Sequence, residues 1–370
     1  MDFSFTDEQQ AVVESAARIL ESQATKDQQL DAGTRSDARE TVLWQQLAGA
    51  GLLGVVVPSE HGGLGLGFVE LALLLEQVGR SAAQVPVLPS ALAAMTLAKF
   101  GTDAQRSTLL PDIAAGDVVV APALIEALGE PLVPWTSARR TSSGWTLDGL
   151  KTCVPAGLSA DLLLVSARVN ARETGLFLVD PTSTGVARVG QETMTGVTEA
   201  QIELRNVEVP SSARVGDRAA LQWCVERATV AVSMVMAGIC GEAVRLTADY
   251  VKSREQFERP IASFQAVRQR LADSFIDATS IRMTALRAAW LLSDGDLASK
   301  EVAVAKFYAA DAGPRIARAT VHLHGGIGVD RNYPLHRYYL WAKHLELVLG
   351  GAERQLRILG ACLAKECVNS

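Results

Sequence analysis

The sequence predicts an α+β protein: a helical segment, a strand segment and a second, longer helical segment. Three observations carry this. From Thr6 to about Gly116 apolar residues recur at steps of three and four, the spacing of one helix face. From about Asp117 to Gly216 the pattern changes to short β-branched or alternating runs separated by Gly, Pro, Ser or Asp, which is strand spacing. After about Ala219 the helical period returns and persists to the end. Domains are expected over 1–118, 119–218 and 219–370.

In the first segment, "TDEQQAVVESAARILESQA" sets its apolar residues behind Thr6 as N-cap, with Glu and Gln close after it. "ETVLWQQLAGAGLLG" repeats the helical pattern and stops on glycines, and "VELALLLEQVGRSAA" is apolar enough to be nearly buried. Between them "VVVPSEHGGLGLG" reads as a Pro/Gly-rich loop. In the second segment, "GWTLDGLKTCV", "ADLLLVSARV", "TGLFLVD" and "AQIELRNVEVP" are strands. Strands this closely spaced, with no helices between them, predict a small antiparallel barrel or sandwich rather than a parallel nucleotide-binding sheet.

The third segment holds four long helical patterns. They begin at "LQWCVERATVAVSMVMAGICGEAVRLTADYVKSR", "ASFQAVRQRLADSFIDATSIRMTALRAAWLLSDG", "LASKEVAVAKFYAADAGPRIARATVHLHG" and "HRYYLWAKHLELVLGG". They predict an antiparallel bundle, long enough that further subunits pack against it. The run "VAVSMVMAGI" suits bundle core better than an acyl channel.

The 370 residues suffice for a large core in two or three domains. A net charge of -6 and the lack of a basic block argue against nucleic acid. No uninterrupted apolar run reaches a membrane-spanning length, and "MDFSFTDEQQAVV" has no leader pattern. The cysteines at 153, 224, 240, 362 and 367 lack metal-ligand spacing and read as free thiols of a reducing cytoplasm.

"HLHGGIG", His322 to Gly328, allows three readings: a metal site, a cradle for a phosphorylated cofactor, or a helix connection. Zinc needs further ligands, and His336 and His344 lie on another predicted helix without carboxylates in pattern. No metal is therefore expected. Glycines suit a backbone that must approach a dinucleotide closely. In "SREQFERPIASFQAV", the forked guanidinium of Arg254 suits a pyrophosphate.

These stretches, with "WQQLAGAGLLGVVVPSEHGGLGLG", "GTDAQRSTLLPDIAAGD" and "GWTLDGLKTCVPAGLSADLLLV", stand in the order of the acyl-CoA dehydrogenase family, and the whole chain resembles it. The resemblance implies an N-terminal helical domain, a central antiparallel β-barrel domain and a C-terminal four-helix bundle, with FAD as cofactor. It implies that His324, Gly325, Gly326 and Gly328 present backbone to the FAD of a neighbouring subunit. Arg254 would meet the pyrophosphate, Gln256 and Phe257 would follow in the family's positions, and Gln265 would be a second polar FAD contact.

The chain departs from the family's pattern at several points. His322 replaces a common Gln, and Glu258 a common Gly. Ile125 replaces a hydroxyl residue, no Gly-Ser-Asp follows it, and the flavin-side Trp-Ile-Thr reads Cys153-Val154-Pro155. The base is the sharpest departure. Acyl-CoA dehydrogenation removes an α-proton and needs a carboxylate beside the α-carbon. The family's base positions fall on Leu349, Ala228 and Val235, and Gly351 replaces a flavin-contacting threonine. Glu226, Glu242 and Glu353 lie nearby, Glu226 being the candidate if the count holds a gap.

Three functions follow from the resemblance. One is a partner subunit, without a base, in a mixed tetramer of the kind that shortens steroid side chains. Another is a conventional homotetrameric acyl-CoA dehydrogenase. The third is flavin monooxygenase or nitroalkane oxidase chemistry on the same scaffold. The first two imply an acyl-CoA substrate and an electron-transferring flavoprotein as electron acceptor.

Overall fold

The structure is a computed structural model that describes residues 4–27, 42–127, 129–295 and 298–369. The helical opening comprises α1 (Asp7–Asp27), α2 (Val42–Gly49), α3 (Phe68–Ser81), α4 (Val87–Phe100) and α5 (Asp103–Ala115). Thr6 caps α1 as expected: its Oγ1 accepts from Gln9 N at 3.2 Å while Gln9 Oε1 accepts from Thr6 N at 3.1 Å. Thr102 and Gln105 repeat the device at the start of α5.

The strands follow as β1 (Val120–Ala123), β2 (Ser137–Arg140), β3 (Gly144–Val154), β4 (Leu162–Arg168), β5 (Thr174–Val179), β6 (Val186–Glu192), β7 (Thr198–Pro210) and β8 (Arg214–Gly216). They form one eight-stranded sheet in the order β6-β7-β3-β2-β4-β5-β8, with β1 on β4. Antiparallel pairing prevails, as expected, but β1 and β2 each run parallel to β4. Trp145 and Phe177 meet edge to face with centroids 5.3 Å apart in the sheet's apolar core. A register shift between Lys151 and Val154 loosens the end of β3 from β7.

The rest is helical: α6 (Arg218–Ser253), a two-residue hairpin of β9 (Glu255–Gln256) and β10 (Arg259–Pro260), α7 (Gln265–Ser293), α8 (Ser299–His324), α9 (Leu335–Leu347) and α10 (Ala352–Asn369). The four expected bundle helices are thus joined by a fifth. Residues 352–369 resume a helix immediately after the glycines that end the chain's last helical pattern.

By contacts the chain divides into two compact units, one of Met1–Asp27, Ala72–Ala83 and Thr229–Ser370, the other of Gln28–Leu71 and Gln84–Ala228. Within the first, α3 and α6 approach backbone to backbone. A Cβ on Gly79 would overlap the Val235 carbonyl oxygen, and one on Gly238 would overlap that of Glu76. The most apolar window of α6 has the length and hydropathy of a membrane span but is 78% buried, which marks a core helix. "VAVSMVMAGI" lies in it, and its apolar residues are buried as core.

Candidate functional site

Two of the expected elements converge at one end of the helical unit. Tyr250, in the last turn of α6, donates its hydroxyl to His324 O at 3.3 Å, and its ring stacks on the His324 imidazole with centroids 4.2 Å apart. Tyr333 covers the imidazole from another direction at 5.3 Å. His324 Nδ1 lies 2.9 Å from Thr320 O, so it carries the proton and Nε2 is bare. Nε2 is buried without a hydrogen-bond partner among the described residues. Burial lowers the imidazole's pKa, opposed by the bond to Thr320. His324 is therefore an internal pin of its loop, and only its backbone can serve a ligand.

The loop beyond it is a 3-10 turn, Gly325–Val329, entered through Gly325 at φ 66° and ψ -142°, a conformation closed to other residues. The glycines differ in purpose. Nothing lies within 4 Å of a Cβ built on Gly325 or Gly326, so their outer surface is open. A Cβ on Gly328 would meet Val321 O at 2.9 Å and His324 Cβ at 3.0 Å, so this glycine serves packing on α8. His322 is exposed. Among the described residues no group of three His, Cys, Asp or Glu side chains could hold a metal.

One turn beyond Tyr250 the chain enters the β9–β10 hairpin. Arg254 N bonds to Tyr250 O at 2.8 Å, and Ile261 N returns to Arg254 O at 2.8 Å. The turn is Phe257-Glu258, both left-handed at φ 55° and φ 64°. This conformation favours glycine, so the family's Gly at position 258 has a backbone reason, and Glu258 occupies it under strain. Phe257 is 85% exposed and touches Phe264 edge-on at 6.0 Å. Arg254, Gln256 and Gln265 are exposed, and no described residue pairs with the Arg254 guanidinium. A cation, a flat aromatic ring and a glycine backbone are thus tethered through Tyr250 with their outer surfaces exposed.

The three positions expected for a base hold buried apolar side chains. Leu349 is buried and left-handed at φ 58°. Gln355 Nε2 donates to its carbonyl at 3.2 Å, and Gly351 follows. Below this loop Lys306, fully buried, donates to Leu345 O at 2.7 Å and Glu346 O at 3.1 Å, closing the C-terminus of α9. Burial pushes the Lys306 ammonium down to about 7, opposed by Glu346. Lys306 was not among the expected site residues, although a single lysine inside "VAVAKFYAA" signals a buried cation with a dedicated acceptor. Val235 is buried against α3, and Ala228 is buried in the other unit. The substitute carboxylates are engaged: Glu242 with Arg245 at 2.9 Å, Glu353 with Arg357, and Glu226 with Gln222 at 3.1 Å.

In the sheet unit, Glu126 is buried and accepts from Trp135 N, Thr136 N and Thr136 Oγ1, and from Lys151 Nζ at 2.7 Å. Burial alone would raise its carboxyl pKa, but Lys151 and these donors bring it below the ordinary value. Burial brings Lys151 down to about 8, opposed by Glu126. Ile125 precedes this anchor with no hydroxyl to offer. Cys153, at φ 49°, spends its N–H on Gln191 Oε1 at 2.8 Å, which also accepts from Thr152 Oγ1 at 3.0 Å. Pro155 has no N–H.

Family models describe the chain on both sides of the sheet. The acyl-CoA dehydrogenase N-terminal domain matches residues 6–117 and the acyl-CoA dehydrogenase C-terminal domain matches 218–364. The chain belongs to the acyl-CoA dehydrogenase family. Among its relatives is acyl-CoA dehydrogenase FadE27 of Mycobacterium tuberculosis, 37% identical over 374 residues and covering 99% of each chain. Similar solved structures include the ChsE4-ChsE5 complex from Mycobacterium tuberculosis, with TM-score 0.93 and 37% identity over 98% of this chain and 99% of that one. A variant of the Tcur3481-Tcur3483 steroid ACAD has TM-score 0.90 and 38% identity at the same coverage. This acyl-CoA dehydrogenase chain thus keeps an open cationic and glycine-lined corner, while Leu349, Ala228 and Val235 are apolar and packed.

Proposed function

We propose that this chain is the base-lacking partner subunit of a mixed acyl-CoA dehydrogenase tetramer, completing an FAD site whose catalytic glutamate lies on a sibling chain. The observation that carries this is the asymmetry just described. Arg254, Phe257 and the open backbone of Gly325 and Gly326 fit the diphosphate end of FAD. The sheet unit offers a flavin ring little: Cys153 N–H is already bonded, Pro155 has none, and Ile125 brings no hydroxyl.

In the complex, Arg254 donates forked hydrogen bonds to the pyrophosphate, Gln256 and Gln265 add polar contacts, and Phe257 shields the site from water. Gly325 and Gly326 give the backbone close approach, and Tyr250 and His324 hold the two elements in register. FAD, when bound, supplies the hydride acceptor for α,β-dehydrogenation of an acyl-CoA thioester. The named structures of a two-protein complex and of a steroid ACAD support a mixed assembly acting on a steroid-type acyl group. An electron-transferring flavoprotein is the expected acceptor. The free thiols of Cys153, Cys224, Cys240 and Cys362 agree with a cytoplasmic setting.

Co-production with a sibling chain tests this. Acyl-CoA should bleach the flavin of the pair, and Glu→Gln at the sibling's base should abolish bleaching while Glu226→Gln in this chain leaves it intact. Loss of bleaching with Glu226→Gln would instead favour a conventional enzyme with Glu226 as its base.

A further inference from the structure

The β9–β10 hairpin carries two cations and two anions, and its register sorts them by side. Arg259 pairs across the hairpin with Gln256, and Pro260 pairs with Glu255. One step further Ile261 N donates to Arg254 O at 2.8 Å, which sets Arg254 opposite Ile261. Side chains alternate between the two faces of a strand, and cross-strand partners share a face. Arg254, Gln256 and Arg259 therefore lie on one face and Glu255 on the other, while Glu258 sits in the turn.

Elsewhere in this unit half-exposed arginines find carboxylates: Arg245 meets Glu242 at 2.9 Å, and Arg315 meets Asp277 at 2.7 Å. Neither Arg254 nor Arg259 has a carboxylate partner among the described residues, although Glu255 and Glu258 belong to the same hairpin. Arg259 is held by a ring instead. Its guanidinium lies 4.3 Å from the Phe264 centroid, and Phe257 meets that ring edge to face at 6.0 Å. Phe264 is itself fixed at the entry to α7, its N–H donating to Ile261 O at 3.1 Å and its carbonyl accepting from Arg268 N at 3.2 Å. A guanidinium stacked on a ring keeps its charge and its N–H donors, which point outward in its own plane. The ring thus sets the position of the fork and leaves its hydrogen bonds for something else.

We propose that Arg259 is a second diphosphate-binding guanidinium, set by Phe264 on the same face of the hairpin as Arg254. Charge balance supplies the reason. A dinucleotide diphosphate carries one negative charge on each phosphate, and one arginine offsets only one of them. With Glu258 in the turn, Arg254 alone would leave this face without net positive charge, and Arg259 restores it. Two exposed forks then stand ready for two phosphates. The proposal rests on the flavin reading above, and the experiment separates the failure of one from the failure of the other.

The test uses the full chain assembled with its sibling and stripped of flavin. FAD binding is followed by fluorescence quenching, and thermal unfolding is measured on the same samples. Arg259→Gln should weaken FAD binding about tenfold or more, with the unfolding temperature of the flavin-free protein unchanged because the side chain is exposed. Arg259→Lys keeps the charge without the stacked fork and should fall between. Phe264→Leu, which removes the ring from under Arg259, should also weaken binding. Added salt should weaken FAD binding by the unmodified protein more steeply than by Arg259→Gln. If Arg254→Gln weakens binding and Arg259→Gln does not, the proposal is overturned and the flavin reading stands. If neither variant has an effect, both are overturned. An Arg259→Gln protein that loses stability in step with flavin affinity would assign Arg259 to the fold, and that too would overturn the proposal.

Discussion

The imidazole of His324 lies against the phenol ring of Tyr250 with centroids 4.2 Å apart and planes within 20° of parallel. This stack joins the end of α6 to the end of α8, and so ties the Arg254 hairpin to the glycine turn. Aromatic pairs contribute about 0.5–1.5 kcal/mol beyond area burial. Tyr250→Ala should therefore weaken FAD binding by the assembled protein about threefold to tenfold, with fold retained. Tyr250→Phe, which loses only the bond to His324 O, should fall between it and the unmodified protein. Flavin titration of the apoprotein complex reads both.

The glycines of the turn should separate in two assays. Gly326→Ala places its methyl in open space and should leave thermal stability within about 0.5 kcal/mol while flavin affinity falls several-fold. Gly328→Ala meets Val321 O at 2.9 Å and should cost about 1–3 kcal/mol by overpacking. If both variants lose flavin and neither loses stability, the division of roles is wrong.

Lys306 predicts a pH dependence. Its folded pKa is about 7, against 10.5 ordinarily. Between these values the unfolded chain holds more protons than the folded one, so stability from this group rises with pH from about 7 upward. Relative to Lys306→Met, the unmodified chain should gain on the order of 2 kcal/mol between about pH 6 and about pH 9. Denaturant titrations of both proteins at the two pH values provide the comparison.

Glu126 and Lys151 form a buried pair at 2.7 Å. Removing one partner strands the other, at a cost of about 3–5 kcal/mol. Glu126→Met with Lys151→Met should cost less than the sum of the two single changes, a coupling that urea denaturation resolves. Glu126 also gives acid sensitivity. Its folded pKa lies below the ordinary 4.5, so its stabilisation is present above that value and is lost as pH falls through the folded pKa.

The fold was legible because its determinants are periodic. The Thr6 cap, the strand alternation and the long bundle helices each follow from spacing in the chain. The helix at 352–369 escaped because Gly350 and Gly351 look like a terminus, and only packing on α8 shows that the helix resumes. Leu349, Ala228 and Val235 could be counted along the chain, but their burial and the sealing of Val235 by the Gly79 crossing are tertiary facts. His324 shows the same limit. Its place beside three glycines suggests a ligand contact, whereas its ring is turned inward onto Tyr250. Cys153 and Pro155 signalled a departure from the family's pattern, and the Gln191 bond that occupies the Cys153 amide comes from a strand distant in sequence.

The visible absorption spectrum of this chain purified alone, with flavin quantified per chain, separates a partner subunit from a complete enzyme. A partner subunit should purify nearly free of flavin and acquire it when produced with a sibling chain. Near-stoichiometric flavin in the isolated chain, bleached on adding an acyl-CoA, would contradict it, because that would require a complete site with its own base.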